Sequence, residues 1–265
     1  LAQNPHEYCV EAFKNYIMKT VLITGGSRGI GAATALLCAQ HGYAVAINYL
    51  ANEAAAEHVA QQIRAAGGRA ETFQADVAQE AQILQLFEQV HTRLGGLDAL
   101  VNNAGIVAPQ MPLERMSAAR LQEMFGINVI GSMLCAREAV KRMATSAGGQ
   151  GGAIVNVSSA AAKHGSAGIY VDYAASKAAI DVFTLGLARE VAAQGIRVNA
   201  VRPGFIDTEI HLVSGLTEQV KNITAATVPM GRIGTAQEVA QAIVWLLSDA
   251  ASYTTGAVLD VSGGR

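Results

Sequence analysis

The stretch TVLITGGSRGIG, residues 20–31, decides the fold. TVLIT has the apolar, β-branched character of a short buried strand, and it breaks at a glycine pair. The residues after Gly31 read as a helix. A strand that runs through a glycine-rich turn into a helix brings backbone amides and the positive helix end up to a pyrophosphate. Gly25, Gly29 and Gly31 let such a turn close, and Ser27, Arg28 and Ile30 are read with them as cofactor-contacting residues. A glycine cluster alone marks only a turn; its position between strand and helix gives it meaning here.

Outward from this turn, short apolar runs alternate with longer amphipathic ones. Strands are expected at AVAIN near 44, AETFQAD near 70, DALVNN near 98, GAIVNVS near 152, IRVNAVRP near 196 and AVLDV near 257. AEHVAQQIRAAGG and AQILQLFEQVHTRLGG lie between them as helices closed by glycine. Seven strands with intervening helices predict an α/β fold, a single doubly wound Rossmann domain with a parallel sheet and helices on both faces. That domain spans 18–265, with a substrate lid near 205–232. Residues 1–17 are expected to be an N-terminal extension, the alternative being a short surface helix from YCVEAFKNYI.

The chain of 265 residues carries a formal net charge of −2, with its lysines and arginines scattered singly. No basic stripe for nucleic acid and no polybasic tail for a membrane surface is present, so a small-molecule substrate is favoured. No apolar run nears the ~18 residues that span a bilayer. The opening segment has no signal-peptide core, and a cytoplasmic protein is expected. Cys9, Cys38 and Cys135 are too dispersed for a zinc site or a disulfide framework, and no metal is predicted.

Further motifs follow in order: NNAG at 102–105, NV at 128, SS at 158, Tyr173-x-x-x-Lys177 and RPGFIDT at 202–208. With the T-G-x-x-x-G-x-G turn they cover nearly all of the chain after Met18, and the sequence resembles the short-chain dehydrogenases/reductases. The resemblance implies that Asp76 and Val77 border the adenine and that Asn102, Ala104 and Gly105 line the cofactor. It also implies that Pro203, Gly204, Ile206 and Thr208 flank the nicotinamide. Members of this family are commonly tetrameric, and a homotetramer is expected.

Coenzyme choice is read at the end of the second strand, where a carboxylate would bond the ribose hydroxyls of NAD and repel a 2′-phosphate. Asn48 stands there, followed by Tyr49. A neutral residue removes the repulsion and Arg28 offers a cation, so NADP is expected, with NAD also admitted.

GSAGIYVDYAASKAA, residues 165–179, holds two tyrosines and one lysine. Residues four apart share a helix face, which pairs Tyr173 rather than Tyr170 with Lys177. A free phenol, pKa about 10, is a poor acid or base at neutral pH. An ammonium about 4 Å away contributes on the order of 4 kcal/mol at an effective dielectric of 20, roughly three pKa units before desolvation. Tyr173 is therefore expected to handle the proton with its pKa lowered by Lys177. The family resemblance assigns Ser159 to orient the substrate oxygen, with Ser158 bonding backbone, and Asn128 to support a proton relay to the lysine. Thirteen residues separate Ser159 from Tyr173, one more than the family's common spacing. Tyr170, in the longer segment, and Phe205 are expected in the substrate wall. His164 lies near the pocket and is given no chemistry.

The expected function is reversible hydride transfer between a nicotinamide and a small carbonyl or alcohol. Reduction of a 3-oxoacyl group on an acyl carrier protein is an alternative, although ATSAGGQGGAI before the fifth strand lacks basic residues to dock an acidic carrier. AINYLANEAAAE and YAASKAAI are similar to bacterial glucose dehydrogenases, a second alternative. A non-catalytic NADP-sensing protein on the same scaffold would be expected to lose the tyrosine or the lysine, and both are present. The apolar residues Phe205, Ile206, Leu212, Val213 and Leu216 are read as lid contents.

Overall fold

A computed structural model of the protein describes residues 18–208 and 225–265. The expected extension at 1–17 and the lid residues Leu212, Val213 and Leu216 lie outside the described residues.

All seven expected strands form one parallel sheet. They are β1 (Thr20–Ile23), β2 (Ala44–Tyr49), β3 (Ala70–Gln74), β4 (Ala99–Asn102), β5 (Gly152–Val157), β6 (Ile196–Pro203) and β9 (Val258–Val261). Their spatial order is β3-β2-β1-β4-β5-β6-β9. A short parallel pair, β7 (Ile206–Asp207) with β8 (Gly234–Thr235), brackets the lid segment and was not predicted.

Every residue of β1 and β2 is buried, because a parallel strand covered on both faces turns no side toward water. Alternation sends Val21 and Ile23 to one core, with Ala35, Cys38, Ile63 and Ile243. Leu22 goes to the other, with Leu86, Phe87, Ala139 and Val198. The first face is covered by α1 (Gly29–Gln40), α2 (Glu53–Ala65) and α8 (Ala236–Leu247); the second by α3 (Glu80–Leu94), α5 (Ser132–Met143) and α7 (Val171–Val191). A short α4 (Ala118–Phe125) precedes α5, and α6 (Ala161–His164) follows β5.

Helix ends follow local chemistry. Asn52 caps α2 by accepting from Ala55 N at 3.0 Å, and Ser117 caps α4 by accepting from Arg120 N at 3.2 Å. Thr235 and Glu238 form a reciprocal capping box on α8, and Gly95 closes α3 in the left-handed conformation. Helix α1 has no side-chain cap at Arg28.

Because β1 pairs with β2 on one side and β4 on the other, the connections leave it in opposite directions. A crevice opens at the carboxyl ends of these strands, and the glycine turn lies there.

Candidate active site

The glycine turn is built by close approach. A Cβ on Gly31 would lie 2.4 Å from the Gly25 carbonyl oxygen and 2.6 Å from Asn103 Nδ2, and Gly29 has φ +53. Only glycine serves at these two positions. Thr24 Oγ1 accepts from the amides of Asn103 and Ala104, both at 3.0 Å, which ties the turn to the end of β4. The uncapped first amides of α1 point out of this turn, the arrangement that receives a phosphate. Ser27 is half-buried and Arg28 exposed in the turn. Ile30 lines the neighbouring cleft, and Thr208 lies beside Gly29. Asp76 is half-buried, its carboxylate accepting from Ala78 N at 2.9 Å, and Val77 is buried against Gly131.

Three residues expected at the cofactor are placed differently. Asn48, 2 % exposed, turns its amide inward: Oδ1 accepts from Gly25 N at 3.2 Å, and Nδ2 donates to the carbonyls of Phe73 and Ala75 at 3.3 and 3.0 Å. The carbonyls of Phe73 and Ala75, at and just beyond the end of β3, claim that side chain, so it does not face a ribose. Tyr49 packs into the core for the same alternation reason, and the first strongly exposed residue is Leu50. Asn102 is also buried, donating to Asn156 Oδ1 at 2.9 Å and to the Ser132 carbonyl at 3.0 Å. Its neighbour Asn103, which the sequence reading missed, lines the cleft and donates to the carbonyls of Thr24 and Gly25 at 2.9 Å. Strand alternation could have found it: of two adjacent asparagines at a strand end, one faces in and the other out.

At the other end of the crevice Ser159, Tyr173 and Lys177 converge on one cleft of about 400 Å³, and Gly105, Pro203, Gly204 and Ile206 also line it. Ser159 Oγ accepts from Ala161 N at 3.1 Å, and its hydroxyl favours the ionised form of the Tyr173 phenol. Ser158 instead donates to the backbone carbonyl of Lys177 at 3.1 Å, as expected for the first of the two serines. Lys177 is buried, donates from Nζ to the Val157 carbonyl at 2.8 Å and lies 5.8 Å from the centroid of the Tyr173 ring.

That geometry corrects the electrostatic expectation. Burial pushes the Tyr173 phenol above its ordinary value, with the Ser159 hydroxyl opposing. Burial also lowers Lys177 from 10.5 to about 8, with Asp181 opposing. Burial thus works against the charged form of both groups, and it outweighs any lowering of the phenol by the Lys177 ammonium.

Asn128 approaches Ser176 on the Tyr173–Lys177 helix from the neighbouring α4–α5 segment. It sits in a π-helical turn over Gly126–Gly131, where the α4–α5 helix is widened by an extra residue. Its side chain clamps the strand-end loop: Oδ1 accepts from Ile106 N at 2.8 Å, and Nδ2 donates to the Ile106 carbonyl at 3.0 Å and to Ser176 Oγ at 3.1 Å. Gly105 fits between Asn128 Oδ1 and Lys177 Nζ, which a Cβ there would meet at 3.2 and 3.4 Å. Asn128 is therefore joined to Lys177 across Gly105.

The segment with the additional residue forms a compact turn before α7, with positive φ at Gly165, Ser166 and Gly168. It delivers Tyr170 to the cleft, edge-on to Tyr173 with ring centroids 6.3 Å apart. Phe205 lines the opposite wall together with Arg265, another residue the sequence reading passed over. Among the described residues no cluster of three or more His, Cys, Asp or Glu could hold a metal, and no helix is long and apolar enough to cross a membrane.

A dinucleotide-type crevice that opens onto a Ser-Tyr-Lys cleft defines an oxidoreductase of the nicotinamide-dependent class. Residues 25–265 match the family model described as Enoyl-(Acyl carrier protein) reductase. The chain is 56 % identical over 248 residues to the uncharacterized oxidoreductase YgfF of Escherichia coli K12, covering 94 % of this chain and all of that one. It is 43 % identical over 246 residues to cis-4-hydroxycyclohexanecarboxylate dehydrogenase of Sinomonas cyclohexanicum, covering 93 % and 96 % of the two chains. Identity to the 3-oxoacyl-[acyl-carrier-protein] reductase FabG of Staphylococcus aureus Mu50 is 37 % over 246 residues, covering 93 % and 97 %. A solved Serratia marcescens short-chain dehydrogenase/reductase, a doubly substituted mutant, superposes with a TM-score of 0.85 at 34 % identity, covering 93 % and 97 %. The chain belongs to the short-chain dehydrogenase/reductase family, whose members use NAD(P) and act on CH–OH and C=O groups.

Proposed function

We propose that this chain is an NADP-dependent oxidoreductase of a small carbonyl or alcohol substrate, with Tyr173 as the proton-transferring group. The observation that carries the reading is the convergence of Ser159, Tyr173 and Lys177 on one cleft. The nicotinamide, when bound, supplies or accepts the hydride and in its oxidised form adds a positive charge to the cleft. In reduction, Ser159 orients the substrate oxygen and Tyr173 gives it a proton; in oxidation the same phenol oxygen receives that proton. Burial keeps the phenol protonated at rest, which suits the reductive direction. Lys177 supplies the charge that stabilises the phenolate once the proton has left, and Asn128 holds the loop against which Lys177 is seated.

For the cofactor, the uncapped α1 amides and the glycine turn suit a pyrophosphate. Residues 48–52 contain no acid, and Arg28 stands exposed in the turn, which favours NADP over NAD. Reduction of a 3-oxoacyl group on a carrier protein is the second reading, favoured by the similarity to FabG. The exposed apolar side chains Val182 and Leu185 on α7, with Ile130 and Met133 across the π turn and α5, support a homotetramer.

Initial rates of NADPH and NADH oxidation across a panel of small carbonyls, alongside an acetoacetyl thioester, test the reading. Tyr173→Phe should lose at least 100-fold in kcat, in keeping with the ~10²–10⁴ contributed by a positioned acid, whereas Tyr170→Phe should retain turnover. Loss confined to the Tyr170 variant would overturn the assignment. Tight NADPH binding without turnover of any compound would favour a sensing role, and a monomer by light scattering would refute the tetramer.

A further inference from the structure

The cleft has a charge signature of its own. Among the described residues its lining includes Lys177, His164 and Arg265 but no aspartate or glutamate. Lys177 is seated beneath the reacting centre, whereas Arg265 stands on the substrate wall.

Arg265 is held in place without being neutralised. Its guanidinium carbon lies 4.3 Å over the centroid of the Phe205 ring. Its backbone oxygen accepts from Ser262 Oγ at 2.6 Å, and Nη1 donates to Thr227 Oγ1 at 3.4 Å. Other cations nearby are paired with acids: Arg202 with Asp181 and Asp260, Lys163 with Asp260, and Arg232 with Glu238. Among the described residues no carboxylate side chain pairs with Arg265. A guanidinium stacked on an aromatic face keeps its N–H edge available, and that planar fork matches a carboxylate better than an ammonium does.

We propose that Arg265 binds the carboxylate of the substrate, so that the enzyme's substrates are small oxo acids and the corresponding hydroxy acids. The carbonyl lies at Ser159 and Tyr173, and the carboxylate is received on the Phe205 wall. This rests on the oxidoreductase reading of the cleft and deepens it.

The test uses the full chain with saturating NADPH and two matched pairs: 4-oxopentanoate and 5-oxohexanoate, each against its primary amide. The wild type should prefer the acids at least tenfold in kcat/KM. Arg265→Gln should lower kcat/KM for the acids roughly 10- to 100-fold, mainly through KM, the size of a lost charge-assisted hydrogen bond. The amides should change less than twofold, and Arg265→Lys should recover part of the loss. Equal use of acid and amide by the wild type, an equal loss on both in the Gln variant, or a rise confined to the NADPH KM would overturn the proposal.

Calorimetric binding of pentanoate and pentanamide to the NADP⁺-loaded protein provides a readout that needs no turnover. Arg265-dependent binding of pentanoate alone, without reduction of any oxo compound, would uphold carboxylate recognition by Arg265 but sink the oxidoreductase reading, and with it the assignment of oxo-acid substrates. Turnover without charge discrimination would do the reverse.

Discussion

Lys177 Nζ is bonded to the Val157 carbonyl at 2.8 Å and lies 5.8 Å from the Tyr173 ring centroid. The lysine is thus anchored to the end of β5 and not to the phenol. Because burial lowers its pKa from 10.5 to about 8, the folded chain releases between those values a proton that the unfolded chain keeps. Stability of the wild type relative to Lys177→Met should therefore rise as pH climbs from about 8 to 10.5, by about 3 kcal/mol in total. Urea unfolding of both proteins at pH 7 and pH 10 measures it; a flat difference would place the lysine in a solvated site.

Asn128 bonds both backbone groups of Ile106 from inside the helix, where it is 1 % exposed. Asn128→Ala leaves the part-buried N–H and carbonyl of Ile106 without their partner, at a cost of about 1–3 kcal/mol. Urea midpoints should fall accordingly, and kcat should fall further than stability accounts for, because the loop under Lys177 loosens. A midpoint within error of the wild type would show that Ile106 finds other partners.

Arg120 grips Asp172 through Nε at 2.8 Å and Nη2 at 3.3 Å, while its Nη1 donates to the Pro109 carbonyl at 2.7 Å. The carboxylate adjoins Tyr173 in sequence and its side chain is fully buried. Burial pushes Asp172 up, but its bonds to Arg120 and to backbone amides outweigh that and hold it below the ordinary carboxylate value. The stability it contributes is present above the ordinary aspartate value of 3.8 and is lost as pH falls below it. Asp172→Ala should cost about 3–5 kcal/mol at pH 7, since Arg120 is left uncompensated. Below pH 4 the gap between variant and wild type should narrow in thermal melts; a constant gap would refute the ion pair's role.

Gly31→Ala sets a Cβ 2.4 Å from the Gly25 carbonyl oxygen. The turn must open, costing about 1–3 kcal/mol of stability. NADPH affinity, followed by quenching of protein fluorescence, should drop at least tenfold while the far-UV spectrum is retained. Unchanged affinity would mean that the turn does not meet the nucleotide.

The strands were legible because central parallel strands are covered on both faces and so appear as unbroken apolar runs, TVLI and AVAINY among them. The Tyr173–Lys177 pair was legible from helix periodicity, which fixes a shared face. Periodicity does not fix rotamers, and so the 5.8 Å separation and the anchoring on Val157 could not be read. Asn48 and Asn102 were misplaced because spacing shows that a residue ends a strand, not which side its amide takes. Hydrogen-bond partners on neighbouring strands and helices decide that, and those neighbours are remote in sequence. Arg265 was invisible for a related reason: nothing local links it to Phe205, and the crossing from β6 to the residues after β9 brings them together.

The inward turn of Asn48 separates two properties that are easily conflated. Asn48→Asp would set a carboxylate against the carbonyl oxygens of Phe73 and Ala75 inside the protein, and its first effect would be on folding. Leu50, 58 % exposed just beyond β2, carries no such duty. A substitution at that exposed position changes what the strand end presents to a coenzyme without touching the bonds that Asn48 makes inside the protein.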